Sequence, residues 1–293
     1  MNRVGKQLLY GVVILSGILG SVVSGSAKEK IVAVLISREI APYVAMVEGL
    51  ESRLNVPVQR FFLDEKGIPY SLGGRTHVLN PQLYDALVAV GPEALQYLQP
   101  RVGATPLVYG MVLNPRKILR DVTGVSCGVS LHVPAEAQLG AILRHLPSLR
   151  RLGVLFDPVN NQEWFRGAVA AAGAKGVHLV PLQVTRQDSR LALVGDFSRL
   201  DAMLFIPDPS IISKAVIQYV IKQGALSNTP VIGYNQFFQD SGAALNFFID
   251  YNRVGQQVAR QVELLLAGDK CQGEIPPLYE VVVNEQVWRA LKK

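Results

Sequence analysis

Short apolar runs alternate with amphipathic segments along most of this chain, and the alternation has the period of a parallel α/β protein. Residues 30–36 form an apolar run of strand length, and 39–54 follow with Ile40, Val44, Val47, Leu50 and Leu54 at helical spacing. Further strands are predicted over 56–63, 85–90 and 106–112, with a helix over 92–98 that carries Pro92 at its first position. A second series starts with a strand at 152–156 and continues as helix 162–172 and strands 177–183 and 202–206. Helix 211–224, strands 230–234 and 243–249, and an amphipathic helix over 253–267 ending at Gly268 follow. Residues 279–283 and 285–291 close the chain as strand and helix. Apolar strands without polar alternation are buried on both faces, which requires helices above and below each sheet. Two series, each about the length of a small domain, predict two lobes. The run 122–133 is read as the passage from one lobe to the next. Residues 64–81, with Gly67, Pro69, Gly73, Gly74 and Pro81, show no helical period and are expected to be loop or short irregular turns.

The amino terminus departs from this pattern. Arg3 and Lys6 precede an apolar stretch over 8–23, then Ser24-Gly25-Ser26-Ala27 and the charged Lys28. That order is the plan of a cleaved secretory signal peptide, with the cut after Ala27 and a periplasmic mature protein. Sixteen helical residues span roughly 24 Å, short of a hydrocarbon core of roughly 30 Å, so a membrane anchor is the weaker reading. No cysteine stands near the cut, which argues against a lipid-anchored form.

Charge and cysteines narrow the function classes. Loss of Arg3 and Lys6 lowers the formal charge from +6 to +4, and the remaining Lys and Arg are scattered, so nucleic acid is not an expected partner. Cys127 and Cys271 lie too far apart for a CxxC metal motif. In an oxidising compartment they are either a disulfide or two buried thiols. His77, His132, His145 and His178 have no metal-ligand spacing, and His145 fits the end of a helix, where the dipole favours a cation. No phosphate-binding glycine loop is present, and Gly173-Ala174-Lys175-Gly176 sits where a helix ends, so no cofactor is expected. Gly124-Val125-Ser126-Cys127-Gly128 has the GxSxG spacing of serine hydrolases but continues as a strand, and the nucleophile elbow needs a helix there. No nucleophile–base pair emerges, and no enzymatic activity is expected.

Ligands in parallel α/β sheets bind beyond the carboxyl ends of the strands. Those positions here are rich in Pro, Asn, Asp and Ser: Ser37-Arg38-Glu39, Gly91-Pro92-Glu93, Leu113-Asn114-Pro115, Asp157 to Asn161, Pro207 to Ser210, Tyr234-Asn235 and Asp250 to Asn252. Such residues also cap helices, and capping alone accounts for any one of them. Tyr43, Tyr234 and Tyr251 fall in or beside these loops, where a ring can stack on a ligand or pack in the core.

The order of segments resembles a known family. Asp85 to Ala94, Thr105-Pro106-Leu107-Val108-Tyr109 with Leu113-Asn114-Pro115, and Phe156-Asp157-Pro158-Val159-Asn160-Asn161 are similar to its strand-end motifs. Ile206-Pro207-Asp208, Asp250 to Gly255, Leu266-Ala267-Gly268 and Val282-Val283-Asn284 follow in the same order. The family is that of ABC transporter substrate-binding proteins, which includes tryptophan-binding lipoproteins of Gram-positive bacteria. The resemblance implies a periplasmic binding protein fold of type I, with two doubly wound parallel sheets joined by a three-crossing hinge. By analogy lobe I covers 28–125 plus 251–275, and lobe II covers 126–250 plus 276–293. It implies a monomer that closes on a small-molecule ligand, an amino acid or related compound, and delivers it to an ABC permease in the inner membrane. A periplasmic sensor that presents its liganded form to a signalling receptor is the alternative. Candidate ligand contacts carried over by position are Ser37, Glu39, Tyr43, Gly91, Glu93 and Asn114 from lobe I, and Asn160, Asn161, Asp208, Tyr234 and Asp250 from lobe II. The family's threonine before proline is Gly91 here, and the first loop lacks the usual His-Pro, so tryptophan specificity does not follow.

Overall fold

The computed structural model describes residues 29–71, 79–119, 126–185, 197–211 and 213–291. The signal peptide assigned to 1–27, His77, the glycines at 73 and 74, and Val122 to Val125 lie outside these residues.

The first sheet begins with β1 (Val32–Ile36), helix α1 (Ala41–Glu51), β2 (Val58–Leu63) and β3 (Pro69–Ser71). It continues with β4 (Ala86–Val90), α2 (Pro92–Leu98), β5 (Leu107–Val112) and β6 (Ser126–Ser130). Helix α3 (Ala135–His145) leads into β7 (Arg151–Phe156), α4 (Pro158–Gly173), β8 (His178–Gln183) and β9 (Ala202–Phe205). Then come α5 (Lys214–Leu226), β10 (Val231–Gly233), α6 (Gln236–Asp240), β11 (Leu245–Ile249) and α7 (Tyr251–Leu266). The chain ends with β12 (Glu274–Ile275), β13 (Tyr279–Val283) and α8 (Glu285–Leu291).

These strands form a seven-stranded sheet in the order β12-β6-β5-β4-β1-β2-β3 and a six-stranded sheet in the order β13-β11-β10-β9-β7-β8. Pairing is parallel except at two edges, where β3 runs antiparallel to β2 and β13 antiparallel to β11. β1, β4 and β5 are buried along their whole length, as their unbroken apolar sequences require.

Two assignments change. Residues 64–81 are not wholly loop. Asp64 accepts hydrogen bonds from the backbone N–H groups of Lys66 (2.9 Å) and Ile68 (2.7 Å), and Gly67 takes the left-handed conformation at φ +75°. This turn folds β3 back onto β2. The passage between lobes also starts later than residue 126. β6 pairs with β5, Leu107 opposite Ser126 and Val108 opposite Cys127, so 126–130 stay in the first sheet and the chain leaves it over 131–134. An apolar run carries no information about which sheet supplies its hydrogen bonds. The chain changes sheet again between β11 and α7, and between β12 and β13.

Helix α7 returns to cover the first sheet and touches α1 backbone to backbone. A Cβ on Gly255 would lie 1.9 Å from Met46 O, and one on Gly49 would lie 2.0 Å from Asn252 O. Neither contact is the tip of a flexible side chain, so the helices themselves must separate to admit a methyl group. Gly255→Ala is expected to cost about 1–3 kcal/mol despite the better helix propensity of alanine. An unfolding midpoint equal to that of the wild type, measured in urea, would show that the helices part freely.

Cys127 on β6 and Cys271 before β12 are joined, with their Cα atoms 6.3 Å apart. Beside them Gly128 N donates to Gly273 O (3.0 Å) and the Tyr109 hydroxyl to Glu274 (2.9 Å). The last crossing is therefore tied to the edge of the first sheet by three separate links.

Candidate functional site

Each sheet has one place where consecutive connections leave in opposite directions: between β1 and β4 in the first sheet, and between β7 and β9 in the second. A crevice opens at such a switch point, beyond the carboxyl ends of the strands. Both crevices here are bridged by hydrogen bonds from the loop after one strand to the loop after the other.

In the first lobe the bridge is Ser37. Its backbone N–H donates to Val90 O (2.9 Å), and its Oγ accepts from Ala94 N (2.8 Å), which caps α2. Gly91 is the N-cap residue, at φ +92°, and a Cβ there would lie 2.6 Å from Ser37 Oγ and 2.8 Å from the Tyr43 ring. Both facts require glycine. Glu93 pairs with Arg38 at the rim. Glu39 is exposed and makes no hydrogen bond or ion pair among the described residues.

In the second lobe the bridge is Asp208, 3% exposed. One carboxylate oxygen accepts from Asp157 N (2.7 Å) and Asn161 Nδ2 (2.7 Å), and the other from Ser210 N (2.9 Å) and Asn160 Nδ2 (3.1 Å). The Ser210 hydroxyl donates to Asp157 (2.6 Å), whose other oxygen caps α4 by accepting from Val159 N (2.9 Å). Asn161, 1% exposed, reaches Pro207 O (3.2 Å) and lies 2.9 Å from His132 Nε2. Asp208 thus receives four N–H donors from the protein itself. It holds the strand ends together and offers a ligand little free acceptor capacity. Asp250, for its part, caps α7 through Asn252 N (2.9 Å).

Three tyrosines, Tyr43, Tyr234 and Tyr251, act on one another electrostatically. Burial, then the neighbouring Glu93 carboxylate, pushes the Tyr43 hydroxyl up to about 12, with Arg38 opposing and Tyr251 adding to the rise. Burial likewise raises Tyr234, with Tyr251 and Asp208 next in effect, and raises Tyr251 against the opposing hydrogen bond from Asn235. Tyr251, at the second crossing, acts electrostatically on both Tyr43 and Tyr234. All three stay protonated at neutral pH and present hydroxyl groups able to donate.

A cleft of about 770 Å³ lies between the lobes, with Asn114, Lys117 and Ser130 on one side, Asn160 and Trp164 on the other, and His132 on the crossing between them. Its rim is closed by three contacts from the loop after β5 to the start of α4. Asn114 donates to Asn160 O, Lys117 to Val159 O, and Arg116 pairs with Glu163 (3.5 Å). Of the residues expected from sequence, Asn114 and Asn160 line this cleft. Asn161 and Asp208 form its supporting network, and Ser37, Tyr43, Gly91 and Tyr234 lie at the switch points and the tyrosine cluster. His132, Trp164 and Ser210 were not among the expected contacts. For His132 the available signal was its place at the end of the 122–133 run.

No group of three or more His, Cys, Asp or Glu able to hold a metal occurs among the described residues. Ser126 opens β6 with its hydroxyl buried and unpartnered and is followed by strand, so the GxSxG spacing forms no nucleophile elbow. No described helix is long and apolar enough to cross a membrane.

Residues 84–287 match the family model described as ABC transporter substrate binding protein. No curated protein sequence matches the chain. Solved structures share the fold at low identity. One is the ABC domain in complex with L-Trp from Streptococcus pneumonia, with TM-score 0.65 and 18% identity over 90% of this chain and 95% of that one. Another is the ligand-free, open structure of CD0873, a substrate-binding protein with adhesive properties from Clostridium difficile, with TM-score 0.69 and 16% identity over the same shares. A conserved domain protein from Vibrio cholerae has TM-score 0.65 and 20% identity, again over 90% and 95%.

Proposed function

Since the chain belongs to the ABC transporter substrate-binding protein family, we propose that it is the periplasmic solute receptor of an ABC importer, holding an amino acid or related small molecule between its lobes. The type I periplasmic binding fold gives each lobe one switch point at the carboxyl ends of its strands. The observation that carries the proposal is the meeting of strand-end loops from both sheets at one cleft, where Asn114 of one lobe reaches Asn160 of the other. A small molecule entering there exchanges water for polar groups already held in place, and closure strengthens each contact by lowering the local dielectric.

The groups left open shape the ligand. Asn160 Oδ1 has no partner among the described residues, and the three tyrosine hydroxyls are protonated donors. The first backbone N–H groups of α4 are taken up by Asp157, so a ligand carboxylate draws its donors from side chains. A ligand ammonium has Glu39 and the Asp250 oxygen that Asn252 N leaves free within its choice of partners, while Asp208 serves the scaffold. Delivery to an inner-membrane permease, secretion through residues 1–27 and a monomeric state complete the proposal.

The test is a thermal-shift screen of amino acids, small peptides, sugars and purines on protein refolded from denaturant, which strips any carried ligand. At one hundred times its dissociation constant a ligand adds about 2.7 kcal/mol, a rise of about 5–10 °C for a protein of this size. A shift confined to one class of amino acids supports the proposal. No shift with any class overturns it in favour of the sensor or a partner-binding role.

A further inference from the structure

We infer that His132 is a positioning residue for the cleft: the hydrogen bond from its Nε2–H to Asn161 couples the first interlobe crossing to the Asp208 network and helps set the separation of the lobes. This rests on the interlobe cleft being the binding site, but not on which compound binds.

The direction of that hydrogen bond follows from its neighbours. Asn161 faces Pro207 O and an Asp208 carboxylate oxygen with one end of its amide, and both of those atoms only accept. That end must be the NH₂ group. The other end is therefore the carbonyl oxygen, and the His132 Nε2 it meets at 2.9 Å must carry a proton. One ring tautomer is thus selected by geometry alone. Burial lowers the His132 pKa, with the Asn161 hydrogen bond and the Asp208 charge acting the other way, so the neutral Nε2–H ring is favoured near neutral pH.

Two further contacts aim the ring. The His132 backbone N–H donates to Ser130 Oγ (3.0 Å), which turns the chain off the end of β6. The ring lies against Trp164, centroids 6.2 Å apart and planes within 25°. Trp164 and Asn161 are three residues apart on α4 and so share a helix face. The chain of contacts then runs without interruption from the crossing through His132, Asn161 and Asp208 to Asn160, whose backbone oxygen receives Asn114 from the opposite lobe. Rotation of the lobes about the crossing moves His132 relative to α4. The hydrogen bond resists that motion at one end of the network while Asn114 reports it at the other.

The test uses no ligand, so its failure is separate from failure of the solute-receptor proposal. Spin labels at Asn55→Cys and Lys175→Cys, both exposed and one in each lobe, report the interlobe distance by pulsed electron resonance with the native disulfide intact. His132→Leu removes the donor and keeps bulk, while His132→Gln restores an N–H near the Nε2 position. The expected result is one narrow distance distribution for wild type and His132→Gln, and a broadened distribution with a displaced mean for His132→Leu. A wild-type distribution in His132→Leu overturns the inference. So does a His132→Gln distribution that follows the leucine variant, because the N–H would then not be what matters. If the leucine variant does not fold, nitrogen-15 spectra of histidine-labelled wild type decide: an Nε2–H tautomer at His132 supports the coupling, and an Nδ1–H tautomer overturns it.

Discussion

Replacing Cys127 and Cys271 together by alanine is expected to lower the unfolding free energy by about 3–5 kcal/mol. The bond joins residues 144 positions apart, so it closes a long loop in the unfolded chain. The chain-entropy account puts a loop of that size near 5 kcal/mol. In thermal melts this is a fall on the order of 10 °C. Urea titration supplies a second signature, because an uncrosslinked unfolded chain exposes more surface and steepens the dependence on denaturant. The native structure should change little, since β12 keeps its pairing with β6 and Tyr109 keeps its bond to Glu274. Equal midpoints and slopes for the two proteins would show that the crosslink makes no contribution to folding.

The second large effect concerns Asp208. Alanine at this position leaves four donors without their acceptor: the backbone N–H groups of Asp157 and Ser210 and the side-chain amides of Asn160 and Asn161. Most of this cluster is closed to solvent, with Asp157, Asn161 and Asp208 each at most 5% exposed. The expected loss of stability is about 3–5 kcal/mol, less than four isolated penalties because the loops relax and water enters. Asp208→Asn should fall between the two, since its NH₂ must face at least one donor. Ligand affinity should drop alongside stability, because Asn160 and the start of α4 lose their support. Urea unfolding together with calorimetric titration separates the possibilities. An Asp208→Ala protein of nearly wild-type stability that has lost its ligand would make Asp208 a direct ligand contact instead of a scaffold residue.

That contrast shows what kind of information the amino-acid order carried. The succession of strands and helices was legible because strands buried on both faces read as unbroken apolar runs. The start of α2 was legible from Pro92, whereas α4 and α7 begin at Pro158 and Tyr251, ahead of the expected 162 and 253, because Asp157 and Asp250 cap them. The short helix α6, with one buried residue, gave a weak periodic signal, and neither it nor α3, whose buried Gln138, Leu139, Ala141 and Ile142 do recur at helical spacing, was delineated. The β2–β3 turn was hidden among glycines and prolines that suit many loops, and it is the Asp64 side chain that closes it.

The candidate site divides along the same line. Sequence by itself determined the doubly wound plan of each half, because that plan depends on periods and caps spanning a few residues, while the fold family was legible only through the resemblance carried by the order of strand-end motifs. Tertiary structure alone decided which polar groups face one another and which are left for a ligand. Asp208 meets Asp157, Asn160 and Asn161 across about fifty residues of chain, and Asn114 meets Asn160 across forty-six. Whether a carboxylate belongs to the scaffold or to the solute depends on donors placed within about 3 Å of it. Such distances are set by how two sheets and three crossings pack, and no local spacing in the chain encodes them.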